Sequence, residues 1–337
     1  MTSDAASPTA QHAAVLAVPA WTPPEGARPE PGPIAVLPEP EEAFVRAIES
    51  AGGTVAPLGD DTRGLVWLSS KHPDELQRVL DGHPRIGWVQ LPWAGVDAFA
   101  PLLAANAGAS RVWTSAKGAY AQPVAEHALM LALASLRLLP RRLAVKHWEG
   151  REDGRSLFGL RVVILGAGGI ALELLRLLEP FGTHATIVRR SPEPVPGAER
   201  TVTSDRLGEV LPEADVVFVA AALTSGTSKL IGVEEFRAMP AGAVLVNIAR
   251  GGLVDTDALV DALTAGEIAG AGVDVTDPEP LPDGHPLWSA PNVIVTPHVA
   301  DTEEMVRPLL AARVEANVRA FLGEGGFLGV VDPAAGY

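Results

Sequence analysis

Apolar runs of four to six residues alternate with amphipathic stretches along most of the chain, and the alternation sharpens from Pro33 onward. "PIAVL", "TVAPL", "GLVWLS" and "IGWVQLP" each predict a buried strand. "EPEEAFVRAIESAGG", closing at Gly52 or Gly53, and "HPDELQRVLDGHP" carry apolar residues at helical spacing. "QPVAEHALMLALASLRLLPRR" predicts one long helix, with Pro123 in its first turn and Pro140 at its far end. A second and more regular series follows. Its strands are "RVVIL", "HATIV", "DVVFVAA", "AVLVNIA", "AGAGVDV" and "NVIVTP", and its helices include "IALELLRLLEPFG" and "DTDALVDALTAGEI". The tail, "DTEEMVRPLLAARVEANVRAFLG", is one more amphipathic helix. Residues 1–32 are rich in Ala, Pro and Ser and read as irregular, with "AAVLAV" a short strand candidate.

Strands alternating with helices argue for an α/β chain with two doubly wound parallel-sheet domains. The expected division is 1–32 as an N-terminal segment, 33–119 plus 301–337 as one discontinuous domain, and 120–300 as the other. Composition narrows the partners. A formal net charge of −15 over 337 residues opposes binding to nucleic acid or an anionic membrane through the whole surface, since both need a positive field. A local basic pocket remains allowed. With no cysteine, disulfides, thiol catalysis and cysteine-ligated zinc are excluded, no metal site is expected, and a reducing cytoplasm fits. No apolar run approaches the roughly 18 residues a membrane span needs. The most apolar segment, "HALMLALASLRLL", is cut by Arg137, and the N-terminus lacks the positive region of a secretory signal.

"GAGGIA" places Gly166, Gly168 and Ala171 at the G-x-G-x-x-G/A positions between a strand and a helix. Gly166 permits the tight turn, Gly168 lets backbone approach a pyrophosphate, and Ala171 is small enough for close helix–strand packing. Gly169 and Ile170 open the helix, whose N-terminus offers free N–H groups and a partial positive charge. A second strand in such a unit ordinarily ends in an acid that accepts from the adenosine ribose 2′-hydroxyl. Here Arg189 holds that place, followed by Arg190 and Ser191. A guanidinium cannot accept that hydrogen bond but can grip a 2′-phosphate bidentately, so NADP is expected ahead of NAD.

Three more segments begin as apolar strands and end in polar residues: "VLVNIARGGLVDTDAL", "AGVDVTDPEPLPDGHPLW" and "NVIVTPHVA". Arg250, Glu279 and His298 lie just past their ends, where open parallel sheets bind ligands. The set suits hydride transfer to a 2-keto acid. A histidine can protonate a developing alkoxide near neutral pH, a carboxylate orients its ring, and an arginine holds the substrate carboxylate and polarises the carbonyl.

As a series, "GAGGIA", "EADVVFVAAALTSGTSKLIG", "LVNIARGGLVD", "AGVDVTDPEPLP" and "TPH" resemble the successive signatures of the D-isomer-specific 2-hydroxyacid dehydrogenases, over about 33–325 and most strongly over 160–300. The resemblance implies a Rossmann-type cofactor domain inserted into a flavodoxin-like substrate domain, two crossing helices as hinge, and a homodimer formed mainly through the cofactor domain. It implies Arg250 as carboxylate and carbonyl anchor, His298 as acid in reduction and base in oxidation, and Glu279 as its partner. It further implies nicotinamide carboxamide contacts from Asp274 and the Ile248 carbonyl. A substrate turn is implied in which Ala94 and Gly95 present N–H groups and Trp93 forms a wall. Ala222 stands where the family often has proline, on the loop beside the adenosine that also carries Thr227. Glutamate at 279, where formate dehydrogenases of this superfamily carry glutamine, favours a keto-acid reductase. The resemblance implies small 2-keto acids such as glyoxylate and hydroxypyruvate as substrates, because NADP-preferring members of the family often reduce them. The reading from another class is a dinucleotide-sensing binding protein of the same fold, similar to the family's transcriptional corepressors.

Overall fold

The structure, a computed structural model, describes residues 15–16, 18–69, 72–148 and 150–334. The chain divides into two compact units, one running to Tyr120 and resuming at Glu303, the other spanning Ala121–Thr302.

In the first unit, a short strand β1 (Ala20–Trp21) precedes β2 (Ile34–Leu37), β3 (Gly64–Trp67), β4 (Trp88–Gln90) and β5 (Val112–Thr114). Strands β2 to β5 pair in that order, all parallel. Trp67, Trp88 and Trp113 fill the core at 0–1% exposure. "TVAPL" is not a strand. Only Val55 bridges to Ile34, since Pro57 lacks the N–H that would extend the ladder. β5 has just three residues, too few for a visible period. In "AAVLAV", Val15 and Leu16 are helical rather than extended, and Ala13, Ala14 and Ala17 lie outside the described residues. Alanine-rich sequence favours helix over strand.

The second unit opens with a helix, Ala121–Leu136, that ends earlier than its apolar pattern. A proline at 140 clashes with the carbonyl of a helical residue at 136, so the chain breaks there. It turns through Leu138 at φ 53° and starts a separate short helix, Leu139–Ala144, with Pro140 in its first turn. Then come β6 (Arg161–Leu165), β7 (His184–Arg189), β8 (Arg200–Thr203), β9 (Val216–Val219), β10 (Val244–Asn247), β11 (Gly270–Val273) and β12 (Val293–Val295). All are parallel, in the order β8-β7-β6-β9-β10-β11-β12. Strand order reverses between β6 and β9, which opens a crevice at their carboxyl ends. Val162, Ile164, Val217 and Phe218 are fully buried in the centre of this sheet. β8, "RTVT", is a polar edge strand that hydrophobicity alone does not reveal.

The tail helix, Glu303–Phe321, belongs to the first unit and buries Val314, Val318 and Phe321 completely. A last strand, β13 (Phe327–Leu328), pairs antiparallel with β1. Among the described residues, no helix is long and apolar enough to cross a membrane.

Candidate active site

Three neighbouring strands, β10, β11 and β12, present Arg250, Glu279 and His298 past their carboxyl ends. Arg250 follows β10 by three residues. Buried Asn247 shapes that turn: its side-chain N–H donates to the Arg250 carbonyl at 3.0 Å and its oxygen accepts from the Ala249 N–H at 3.1 Å. The Arg250 guanidinium donates to the Ala249 carbonyl at 2.6 Å. The next residue must be glycine, because a Cβ at Gly251 would fall 1.9 Å from the Thr276 carbonyl oxygen. The loop after β10 is thereby pressed against the loop after β11 that leads to Glu279.

Glu279 accepts from, or shares a proton with, the His298 ring: Oε1 lies 2.7 Å from Nδ1. The two side chains are 43% and 46% exposed, so water screens the pair and its worth to stability is small. Its effect is on geometry: Nδ1 is committed, and Nε2 is left for a reacting group. The His298 backbone is left-handed at φ 56°, a conformation costing a non-glycine residue about 1–2 kcal/mol. Asp274 holds it there. The Asp274 carbonyl accepts the His298 N–H at 2.8 Å, and its buried carboxylate accepts Val299 N–H at 2.9 Å, Ala300 N–H at 3.0 Å and the Thr296 hydroxyl at 2.6 Å. Beside the pair lies a cleft of about 330 Å³, walled mainly by Leu281, Trp288, Val295 and Pro297.

The glycine turn sits at the strand-order reversal. Gly166 follows β6 directly, at φ 112°, its N–H donating to the Val188 carbonyl, and a Cβ there would meet the Ala220 carbonyl oxygen at 2.5 Å. Gly168 caps the Gly169–Leu178 helix, and a Cβ on it would meet nothing within 4 Å, so the space above this backbone is open. Arg189 closes β7, while Ile170 stands in the first turn of the helix. The neighbouring Ser191 Oγ is buried with no hydrogen-bond partner among the described residues. A free helix N-terminus, open backbone and an orphan hydroxyl next to two arginines fit a dinucleotide phosphate. The loop after β9 closes on itself: Thr227 donates to the Ala222 carbonyl at 2.7 Å and accepts from Thr224 N–H at 2.8 Å. Ile248 is buried just past β10. Trp93, Ala94 and Gly95 lie in the first unit, on the turn after β4. Trp93 stacks edge-on against Tyr120, whose hydroxyl donates to the Pro92 carbonyl at 2.6 Å.

Residues 127–300 match the family model described as D-isomer specific 2-hydroxyacid dehydrogenase, NAD binding domain. Human glyoxylate reductase/hydroxypyruvate reductase is 32% identical over 268 residues, covering 77% of this chain and 80% of that one. The chain belongs to the D-isomer specific 2-hydroxyacid dehydrogenase family. An uncharacterized protein from the proB 3′ region of Corynebacterium melassecola is 42% identical over 257 residues, 75% of this chain and 84% of that one. The structure of a D-isomer specific 2-hydroxyacid dehydrogenase from Xanthobacter autotrophicus Py2, in complex with NADPH and MES, superposes with a TM-score of 0.76 at 28% identity, over 91% of this chain and all of that one. The protein is thus an oxidoreductase dependent on a nicotinamide dinucleotide, with the two-domain parallel-sheet fold of its family.

In this dehydrogenase the sequence pattern passed over Asn247, His127 and Asp301. Asn247 is a buried amide at the end of an otherwise apolar strand, which is itself a signal. Asp301, three residues beyond His298, has its carboxyl pKa raised from its ordinary value, first by burial and then by the Asp274 charge, against the pull of His298 and Arg250. Its folded value lies above the unfolded one, so native stability falls as pH rises through that window and stays lowered above it. Asp301→Asn is expected to raise Tm at about pH 7 and to match the parent below the unfolded carboxylate value of about 3.9. Thermal melts across pH check this; an equal gain at both ends of the range would refute it.

Proposed function

We propose that this dehydrogenase reduces a small 2-keto acid of the glyoxylate or hydroxypyruvate type to the D-2-hydroxy acid, using NADPH. The carrying observation is the 2.7 Å contact between His298 Nδ1 and Glu279 Oε1 beside the Arg250 turn. The human relative named above is a reductase of these two acids by name, which supports the substrate class. When bound, the reduced nicotinamide supplies hydride to the carbonyl carbon. The rest is the work of the chain. Arg250 holds the carboxylate and draws electron density onto the carbonyl oxygen. His298 gives the Nε2 proton to that oxygen, and Glu279 stabilises the imidazolium before the transfer and fixes the ring. Gly168, Gly169 and Ile170 would hold the pyrophosphate by backbone N–H groups, and the Ile248 carbonyl would accept from the carboxamide. Ala94 and Gly95 would add N–H donors to the substrate carboxylate, with Trp93 as a wall. The proposed assembly is a homodimer working in the cytoplasm.

Arg189, Arg190 and Ser191 would take the 2′-phosphate, which makes the cofactor choice testable. A panel of keto acids with NADPH and NADH should show glyoxylate and hydroxypyruvate turned over faster with NADPH. Arg189→Asp should lower the NADPH/NADH ratio of kcat/KM by about 10–100-fold, the worth of one charge-assisted pair. An unchanged ratio would defeat the 2′-phosphate assignment. Absence of turnover across the whole panel, with NADPH still bound, would favour the dinucleotide-sensing reading instead.

A further inference from the structure

His127 lies outside every motif that carries the chemistry, on the Ala121–Leu136 helix, yet its ring reaches the segment that presents His298. Nε2 is 3.1 Å from the Thr296 hydroxyl oxygen and 3.5 Å from Asp274 Oδ1. The Thr296 hydroxyl has one proton and gives it to Asp274 Oδ1 at 2.6 Å. His127 can therefore bond that oxygen only as a donor, so Nε2 carries a proton. The same Asp274 carboxylate binds the Val299 and Ala300 N–H groups, and the Asp274 carbonyl binds that of His298. The Thr296 hydroxyl and the N–H groups of His298, Val299 and Ala300 thus converge on Asp274, and His127 joins this knot to a helix more than 160 residues away in sequence. The helix itself is seated tightly: a Cβ at Gly272 of β11 would fall 2.7 Å from Leu131 Cβ, one turn along from His127. The side chains of His127 and Asp274 are 14% and 1% exposed, so water offers little substitute for a lost partner.

We infer that His127 is a positioning residue, which through Thr296 and Asp274 keeps His298 in its left-handed backbone conformation and so aims the acid–base ring. This rests on the reading of His298 as the proton donor. His127→Leu removes the N–H, whereas His127→Gln returns an amide N–H on a side chain of similar reach. In the full-length protein without cofactor, His127→Leu should speed amide hydrogen exchange at His298, Val299 and Ala300 about tenfold or more, with the amides of β10 and β11 unchanged. His127→Gln should restore slow exchange. In turnover, His127→Leu should lower kcat about tenfold at unchanged NADPH affinity, and should cost nothing further in a His298→Ala background. Thr296→Val cuts the same bridge and gives the same exchange pattern if His127→Leu does not fold. Unchanged exchange at the three amides, equal acceleration in β10 and β11, or an independent loss on top of His298→Ala would each overturn the inference. Failure of the acid–base reading is separable: His298→Ala would then turn over normally, whatever the amides do.

Discussion

Replacing His298 with alanine is expected to lower kcat for keto-acid reduction by about 10²–10⁴-fold while leaving NADPH affinity within about twofold. The 2.7 Å approach of Nδ1 to Glu279 orients the ring, and in the proposed mechanism Nε2 is the proton source. Without it, water must protonate the alkoxide. Glu279→Gln should be milder, since an amide can still orient the ring but offers no charge to the imidazolium. Neither variant should move Tm much, because both side chains are more than two-fifths exposed and the ion pair is screened. Steady-state kinetics beside a fluorescence titration of NADPH decides the matter. Near-normal turnover by His298→Ala would sink the acid–base assignment.

What the chain order reveals about this site follows from how local each signal is. Gly166, Gly168 and Ala171 are legible because a strand, a tight turn and a helix N-terminus are contiguous in sequence. Arg250 and His298 are legible for the same reason, each three residues past an apolar strand. Glu279 needs more, since five residues separate it from β11, and only the folded loop brings it to His298. His127 and Asp301 escape altogether. The first sits on an apolar helix where a histidine looks like filler, and its partner Thr296 is 169 residues later. The second is one more exposed-looking acid until burial and the Asp274 charge act on it. Of the fold, the strands of the second sheet are legible from their apolar runs, save β8, whose threonines and arginine hide it. "TVAPL" misleads in the opposite direction, because an apolar run with a proline cannot complete a ladder. Pro140 misleads by one element: it ends a helix, as expected of it, but four residues upstream of itself, and then starts another.

Arg250→Lys is the second large effect, and it separates charge from shape. Lysine keeps the positive charge but presents a single ammonium in place of a planar fork. The turn that presents residue 250 is fixed by Asn247 on one side and by the Gly251–Thr276 approach on the other, so the backbone should not shift to bring a shorter donor into place. The expected loss is about 10²–10³ in kcat/KM for the keto acid, the scale for removing one well-placed donor to a developing oxyanion. It should appear in both terms, as a higher KM from the weakened carboxylate grip and a lower kcat from the unpolarised carbonyl. NADPH affinity should be unchanged, which sets this variant apart from Arg189→Asp, where the cofactor term moves and the keto-acid term does not. Arg250→Ala with added guanidinium ion should recover part of the rate, and added ammonium should not. Parent-like KM and kcat in Arg250→Lys would mean that charge alone suffices at this position, and that the fork is not what holds the substrate.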